Sequence, residues 1–285
     1  MAALFGPSGN SERFYQEGYK KTLDAFSWLR SLNLDAFEYP AGNGITASLS
    51  TFTALGEEAR KQGIKTSFHA PYFISLSSIE IEKRLKSVEY IKKSEEAARA
   101  LLADTVVIHT GSASKISREE AVRLATDTMY KTLEAIPSSP LRFGLETMGK
   151  KNQLGTLDEV ITICKLDPRL CPVVDFGHIN AREGGVFFSK DDYRRVFDVI
   201  GTQLGASYAE NLHCHFSKIE YTAAGEKRHL TFSDTVYGPD YEPLMEAIYE
   251  EGLSPRIICE SSGTMADDAL TMKHYYQSLT KQETI

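Results

Sequence analysis

The residues of this 285-residue chain best able to do chemistry are histidines and acids placed at the ends of short apolar runs. His69 closes TSFHAPY, His109 closes VVIHTGS, and His213 and His215 lie together in LHCHFSK. His178 follows the run VVDFGHINAR and His229 stands in EKRHLTF, whereas His274 falls in a terminal helix pattern. The acids behave alike: Glu146 ends FGLETMGK's apolar part, Asp175 ends the VVD run and Glu260 ends IICESSG's. One strand-end histidine is more often a hydrogen-bonded structural group than a ligand. Three carboxylates buried with several imidazoles are another matter, because each uncompensated charge costs several kcal/mol. A divalent cation removes that cost, and mixed His/carboxylate ligation suits Zn²⁺ or Mn²⁺ better than Mg²⁺ or Ca²⁺. His213 and His215, two apart on a strand, share one face, so either could be a ligand.

For such residues to meet, remote segments must bring their ends together. Short β-rich runs alternate with longer amphipathic ones over the whole chain. The strand candidates are Ala3–Gly6, Ala36–Tyr39, Thr66–His69, Thr105–His109, Arg142–Glu146, Pro172–Asp175, Asn211–Phe216 and Arg256–Glu260. Helix starts are marked by the capping-box patterns Ser117 to Glu120 and Thr156 to Glu159. The segment from Phe14 to Leu32 carries Tyr19, Leu23, Phe26 and Leu29 at helical spacing. Alternation of this kind implies right-handed crossovers and a parallel sheet. Eight repeats without a linker predict an α/β fold, a single (β/α)₈ TIM barrel spanning residues 1–285, with a doubly wound open sheet as the alternative. Strand C-termini of a barrel face one shared mouth. The long connections Gly177 to Phe188 and Ser217 to Pro239 are expected to build that face.

Composition sets the outer bounds. A formal charge of −7 argues against broad, non-specific nucleic-acid binding but leaves room for a local basic rim. The four cysteines form no CxxC pair and read as buried thiols rather than a disulfide framework. No signal-peptide pattern is visible, and no apolar stretch approaches the roughly 20 residues that span a bilayer. A cytoplasmic protein without a membrane partner is the expectation.

The strand-end motifs together resemble the endonuclease IV family of apurinic/apyrimidinic endonucleases, within the xylose-isomerase-like barrels. The likeness runs through His69-Ala-Pro-Tyr-Phe73, His109-Thr-Gly111, Leu145-Glu-Thr147, Asp175-Phe-Gly-His178, His213 with Lys218, and Glu260-Ser-Ser-Gly263, in order along nearly the full chain. It implies two or three zinc ions. Glu146 would bridge two of them, with His69 and His109 completing the first site. Asp175, His213 and Glu260 would complete the second, and His178 and His229 would serve the third. The comparison thus selects His213 as ligand and leaves His215 as a supporting group. Glu146 and Glu260 are the carboxylates expected at the reacting centre. The implied activity is hydrolysis of the phosphodiester bond 5′ to an abasic site in damaged double-stranded DNA, by a monomer. Tyr72 and Phe73 would wedge into the duplex; packing of a loop is their plainer reading.

Two departures from the family pattern stand out. An Asp two residues before the last histidine is expected, but the segment reads Lys227-Arg228-His229. Glu226 lies one position too early and would need a loop adjustment; the ammonium of Lys227 is expected to take over some of the missing metal's charge toward phosphate. After the second strand the family's basic loop is absent, and Glu38 resembles a strand-end acid of the barrel's sugar isomerases and epimerases. The second functional reading is therefore a sugar enzyme using one metal at Glu146, Asp175, His213 and Glu260, though His69 and His109 are then unexplained. A binding module without activity is a third reading, opposed by the intact ligand set. Phosphate contacts are expected from Lys218, Lys227 and Arg182, with Lys115, Lys150 and Lys151 as further candidates.

Overall fold

The computed structural model describes residues 2–282. Among the described residues there are ten strands: β1 (Leu4–Pro7), β2 (Ala36–Pro40), β3 (Lys65–His69), β4 (Thr105–His109), β5 (Arg142–Glu146), β6 (Leu170–Asp175), β7 (His213–Phe216), β8 (Ile219–Thr222), β9 (Gly225–His229) and β10 (Arg256–Cys259). Eight make one sheet in the order β1-β10-β7-β6-β5-β4-β3-β2, every pairing parallel. Each strand therefore sits beside its sequence neighbour, which excludes the doubly wound alternative. The sheet closes between β1 and β2: Asp35 N–H donates to Phe5 O at 2.8 Å and Gly9 N–H to Glu38 O at 2.9 Å. Glycine is required at that seam, because a Cβ on Gly6 would stand 1.8 Å from Ala36 O. The result is the (β/α)₈ barrel expected.

The strands are apolar and buried on both faces, as parallel barrel strands must be when helices cover them; Phe143, Leu145, Val173, Val174 and Ile257 are all buried. Cys164, Cys171, Cys214 and Cys259 are free buried thiols. The helix at Leu157–Cys164 starts on a complete capping box from Thr156 and Glu159. At Arg118–Ala135 only half of the device forms: Ser117 Oγ accepts from Glu120 N–H, while the Glu120 carboxylate turns to Arg123. The helix expected from Phe14 to Leu32 is two helices, Glu12–Gln16 and Thr22–Ser31. Gly18, at φ +93°, breaks them apart.

The connections after β6 and β7 are more ordered than expected. Asp175 caps a helix at Phe176–Glu183, and β8 and β9 form an antiparallel hairpin leaning over the mouth. Among the described residues, no helix is long and apolar enough to cross a membrane.

Candidate metal centre

The site sits where β3 to β7 and β10 end. Glu146, the last residue of β5, is fully buried at its centre. Its Oε2 lies 3.3 Å from His69 Nε2 and 3.0 Å from His109 Nε2, the imidazoles that close β3 and β4. Its Oε1 lies 3.2 Å from His215 Nδ1 and 3.3 Å from His178 Nδ1. One carboxylate thus faces two histidines on each side.

Backbone carbonyls decide which ring nitrogens are free. A carbonyl only accepts, so the 2.8 Å contact of His69 Nδ1 with Ala70 O puts a hydrogen on Nδ1 and leaves Nε2 for the mouth. His178 Nδ1 does the same with Thr147 O at 2.9 Å, and His178 Nε2 turns toward Glu226 Oε2 at 3.5 Å. His229 Nδ1 is hydrogen-bonded to Ser217 Oγ at 2.9 Å, and its Nε2 lies 3.9 Å from Glu226 Oε1.

Among the described residues five groups of donor atoms lie within 4.8 Å of one another, and three of them abut at the mouth: His69, His109 and Glu146; Glu146, Asp175, His215 and Glu260; and His178, Glu226 and His229; the other two bring Glu38 to His213 and His215, and to His69 and Glu260. These residues fit metal. Asp175 Oδ1 accepts from His178 N–H at 2.7 Å, but its buried Oδ2 has no hydrogen bond, only His178 Nδ1 at 3.4 Å, a place that a cation would satisfy. Without an ion the charges are balanced by protons. Burial would lift the Glu146 carboxyl, but His109, His178 and His215 hold it well below the usual carboxylate range. Burial would lower His69, yet Glu146 raises it to about 9. His178 and His215 are likewise raised against burial by the surrounding carboxylates, and burial pushes the Asp175 carboxyl up.

His213 is not in this cluster. Both histidines of β7 point into the barrel, but strand register puts His215 level with Asp175 and His213 level with Val173, one pleat deeper. His213 Nε2 donates instead to Glu38 Oε2 at 3.0 Å, and its ring borders the cavity at the opposite end of the barrel with Lys65 and Arg256. His69, His109, Glu146 and Asp175 each end a strand, whereas His213 begins β7, a boundary that the sequence reading places at Asn211.

Glu38 is also placed differently from expectation. It lies within β2, fully buried, not at the mouth. Its Oε2 accepts from Ser67 Oγ (2.8 Å) and His213, while Oε1 lies 3.0 Å from His215 Nε2. It therefore holds His215 with Nδ1 turned to Glu146 and Glu260, 3.2 and 3.6 Å away. The two histidines keep the Glu38 carboxyl charged, well below its ordinary range despite burial.

The missing carboxylate of the third group is Glu226. In the β8–β9 hairpin, Tyr221 pairs with Glu226 and Glu220 with Arg228, so Lys227 is an extra, bulged residue. A bulge of one residue restores Glu226 and His229, three apart, to the same face. Lys227 itself points away, 2.5 Å from Glu220 Oε1, and is more than half exposed. Its ammonium is thus taken by Glu220 and does not face the donor groups, contrary to the role expected for it.

Two other basic residues are similarly engaged by the protein itself. Arg182 is buried and donates to the carbonyls of Met148, Lys150, Lys151 and Gln153. Lys218 donates to Asp234 O and pairs with Asp240 at 2.9 Å. Tyr72 and Phe73 are about half exposed, at 55% and 51%. The Tyr72 ring stacks on His109 at 5.1 Å and meets His69 edge-on at 5.2 Å. Gly42 makes room for it, since a Cβ there would lie 2.1 Å from the ring. Together the mouth residues line a cavity of about 420 Å³.

The model of the xylose isomerase-like TIM barrel family matches residues 26–276, and the chain belongs to that family. Its relatives include the uncharacterized protein MJ0133 of Methanocaldococcus jannaschii, 30% identical over 249 residues that cover 87% of this chain and 89% of that protein. A probable endonuclease 4 of Acholeplasma laidlawii is 30% identical over 197 residues, 67% of this chain and 65% of that one. Endonuclease IV from Thermus thermophilus superposes with TM-score 0.68 at 17% identity, over 99% of this chain and 100% of that chain. A D-tagatose 3-epimerase-like protein does so with TM-score 0.69 at 20% identity, over 89% and 92%. At such identities the superpositions speak for the fold alone. The endonuclease IV likeness read from the strand ends agrees with these relatives.

Proposed function

We propose that the chain is a zinc-dependent endonuclease of the endonuclease IV type, a monomeric, one-domain cytoplasmic enzyme that cleaves duplex DNA 5′ to abasic sites. The observation that carries this reading is the continuity of the three donor groups through Glu146 and His178, which an enzyme built on one ion would not need. Zinc held there would supply a nucleophile at neutral pH and positive charge for the phosphate oxyanions. Glu146 and Glu260 belong to the central group, with His69 and His109 on one side and His178, Glu226 and His229 on the other. Manganese suits the same donors.

The chain's other residues support a nucleic-acid substrate. Glu146 is fully buried beneath the mouth, so a nucleotide must leave the duplex stack to reach it. Tyr72, seated over His69 and His109, and its exposed neighbour Phe73 offer apolar surface to fill the gap. A sugar isomerase or epimerase is the second reading, favoured because Glu146, Asp175, His215 and Glu260 alone would complete a one-metal site. Glu38, the residue that most suggested it, is engaged by His213, His215 and Ser67 and is itself not part of the cavity lining, although its carboxylate comes within 4.8 Å of the His69 and Glu260 donors. The test is incubation of zinc-loaded protein with a duplex carrying one abasic site. Nicking on the 5′ side, abolished by Glu146→Gln, is expected; an intact duplex would contradict the proposal.

A further inference from the structure

The three basic residues expected to meet substrate are all occupied: Arg182 by backbone carbonyls, Lys218 by Asp240, Lys227 by Glu220. Of the further candidates, Lys115 lines a separate cavity and Lys151 lines neither, which leaves Lys150 as the basic residue in the wall of the metal cavity among the described residues. Lys150 lines the metal cavity and is exposed, and its ammonium has no acidic or hydrogen-bonding partner among the described residues. The backbone that carries it is tightly held. Arg182 and Arg118 both donate to carbonyls of the segment 148–153. The same segment is zipped to the hairpin bearing Glu226: Lys151 N–H donates to Ala224 O and Glu226 N–H to Gly149 O, each at 3.0 Å. Gly225 makes that approach possible, at φ +93° with its Cβ position 2.2 Å from Gly149 O. A long flexible ammonium is thus mounted on a fixed base beside the third donor group.

We infer that Lys150 is the cation that contacts a phosphate oxygen of the substrate at this site, and that it selects a phosphate-bearing substrate over a neutral sugar. An ammonium is a compact point charge with three rotatable donors, suited to a phosphate oxygen whose direction changes during reaction. With the carboxylates of the three groups matched by metal, no acid at the mouth competes for it. A lysine kept only for solubility would need neither the cavity wall nor a segment pinned by two arginines. The inference rests on the phosphodiester reading, and it gives that reading its substrate contact.

The experiment compares zinc-loaded wild type with Lys150→Met and Lys150→Arg, after metal content shows that each variant keeps its ions. KM and kcat for nicking of an abasic-site duplex are measured over a range of salt, alongside the Kd of inorganic phosphate. Lys150→Met is expected to raise KM and the phosphate Kd by about tenfold, as loss of one charge-assisted contact does. It should also flatten the slope of log KM against log salt by about 0.9, the release of one counterion. Lys150→Arg should restore most of both. Nicking with KM, salt slope and phosphate Kd all unchanged in Lys150→Met would overturn the inference and leave the endonuclease reading standing. Absence of nicking in the wild type, with a phosphate Kd that still depends on Lys150, would overturn the abasic-DNA reading and support the phosphate contact.

Discussion

Replacing Glu38 by Gln should weaken zinc binding without removing any ligand. Both carboxylate oxygens face donors: Oε2 takes the Ser67 hydroxyl and His213 Nε2–H, and Oε1 lies 3.0 Å from His215 Nε2. A carboxamide has one acceptor oxygen, so in either orientation its NH₂ confronts a histidine donor. What is lost is the 3.0 Å charge contact of Oε1 with His215 Nε2, and the loss falls on the orientation of His215. Outer contacts of this kind change metal affinity by about 10–100-fold, or roughly 1.4–2.8 kcal/mol. Competition with a chromophoric chelator would read this directly, with circular dichroism to show that Glu38→Gln is folded. Wild-type zinc affinity in a folded Glu38→Gln protein would refute the argument that Glu38 acts through His215.

Three further outcomes follow from the same geometry. His215→Ala should lose one ion per chain, whereas His213→Ala should keep the full complement; metal analysis of the two purified variants distinguishes the pleat assignment from its reverse. Glu226→Ala should lose the ion between His178 and His229, while Lys227→Ala should change nicking by no more than about twofold, as exposed substitutions do; a large loss in Lys227→Ala would show that the bulged residue reaches substrate after all. Stability should respond to pH in opposite ways with and without zinc. In the ion-free fold His69 is raised to about 9, above its unfolded value, so its contribution is complete below about pH 6.5 and is lost as pH rises through 9. Zinc requires the deprotonated rings, so its stabilisation should grow over that window. Melting temperatures with chelator and with excess zinc, from pH 6.5 to 9, would check both signs.

How much of this was legible in the sequence depends on which distances along the chain matter. The barrel and its strand ends were, because a buried parallel strand is a continuous apolar run and its polar terminus shows where the mouth lies. His69, His109, Glu146 and Asp175 are the final residues of their strands, as the sequence suggested. Parity along β7 was legible too, but depth was not: His213 and His215 point the same way, and only register against β6 separates them. Glu226 was hidden by the assumption of a regular strand, since a bulge at Lys227 is a property of the pairing with β8 and not of the local residues. Arg182 reads as a surface charge on a helix, but the loop it holds lies 29 to 34 positions upstream. Lys150 shows the converse. Its place in the cavity wall is visible only once Arg182, Lys218 and Lys227 have been traced to their partners.

The central claim is that three abutting donor groups, joined through Glu146 and His178, each hold an ion. Metal analysis of the zinc-loaded chain, after removal of loosely bound metal, tests it most directly. Three zinc ions per chain are expected, falling to two in Glu226→Ala. One ion per chain, unchanged by that substitution, would contradict the account and favour a one-metal sugar enzyme.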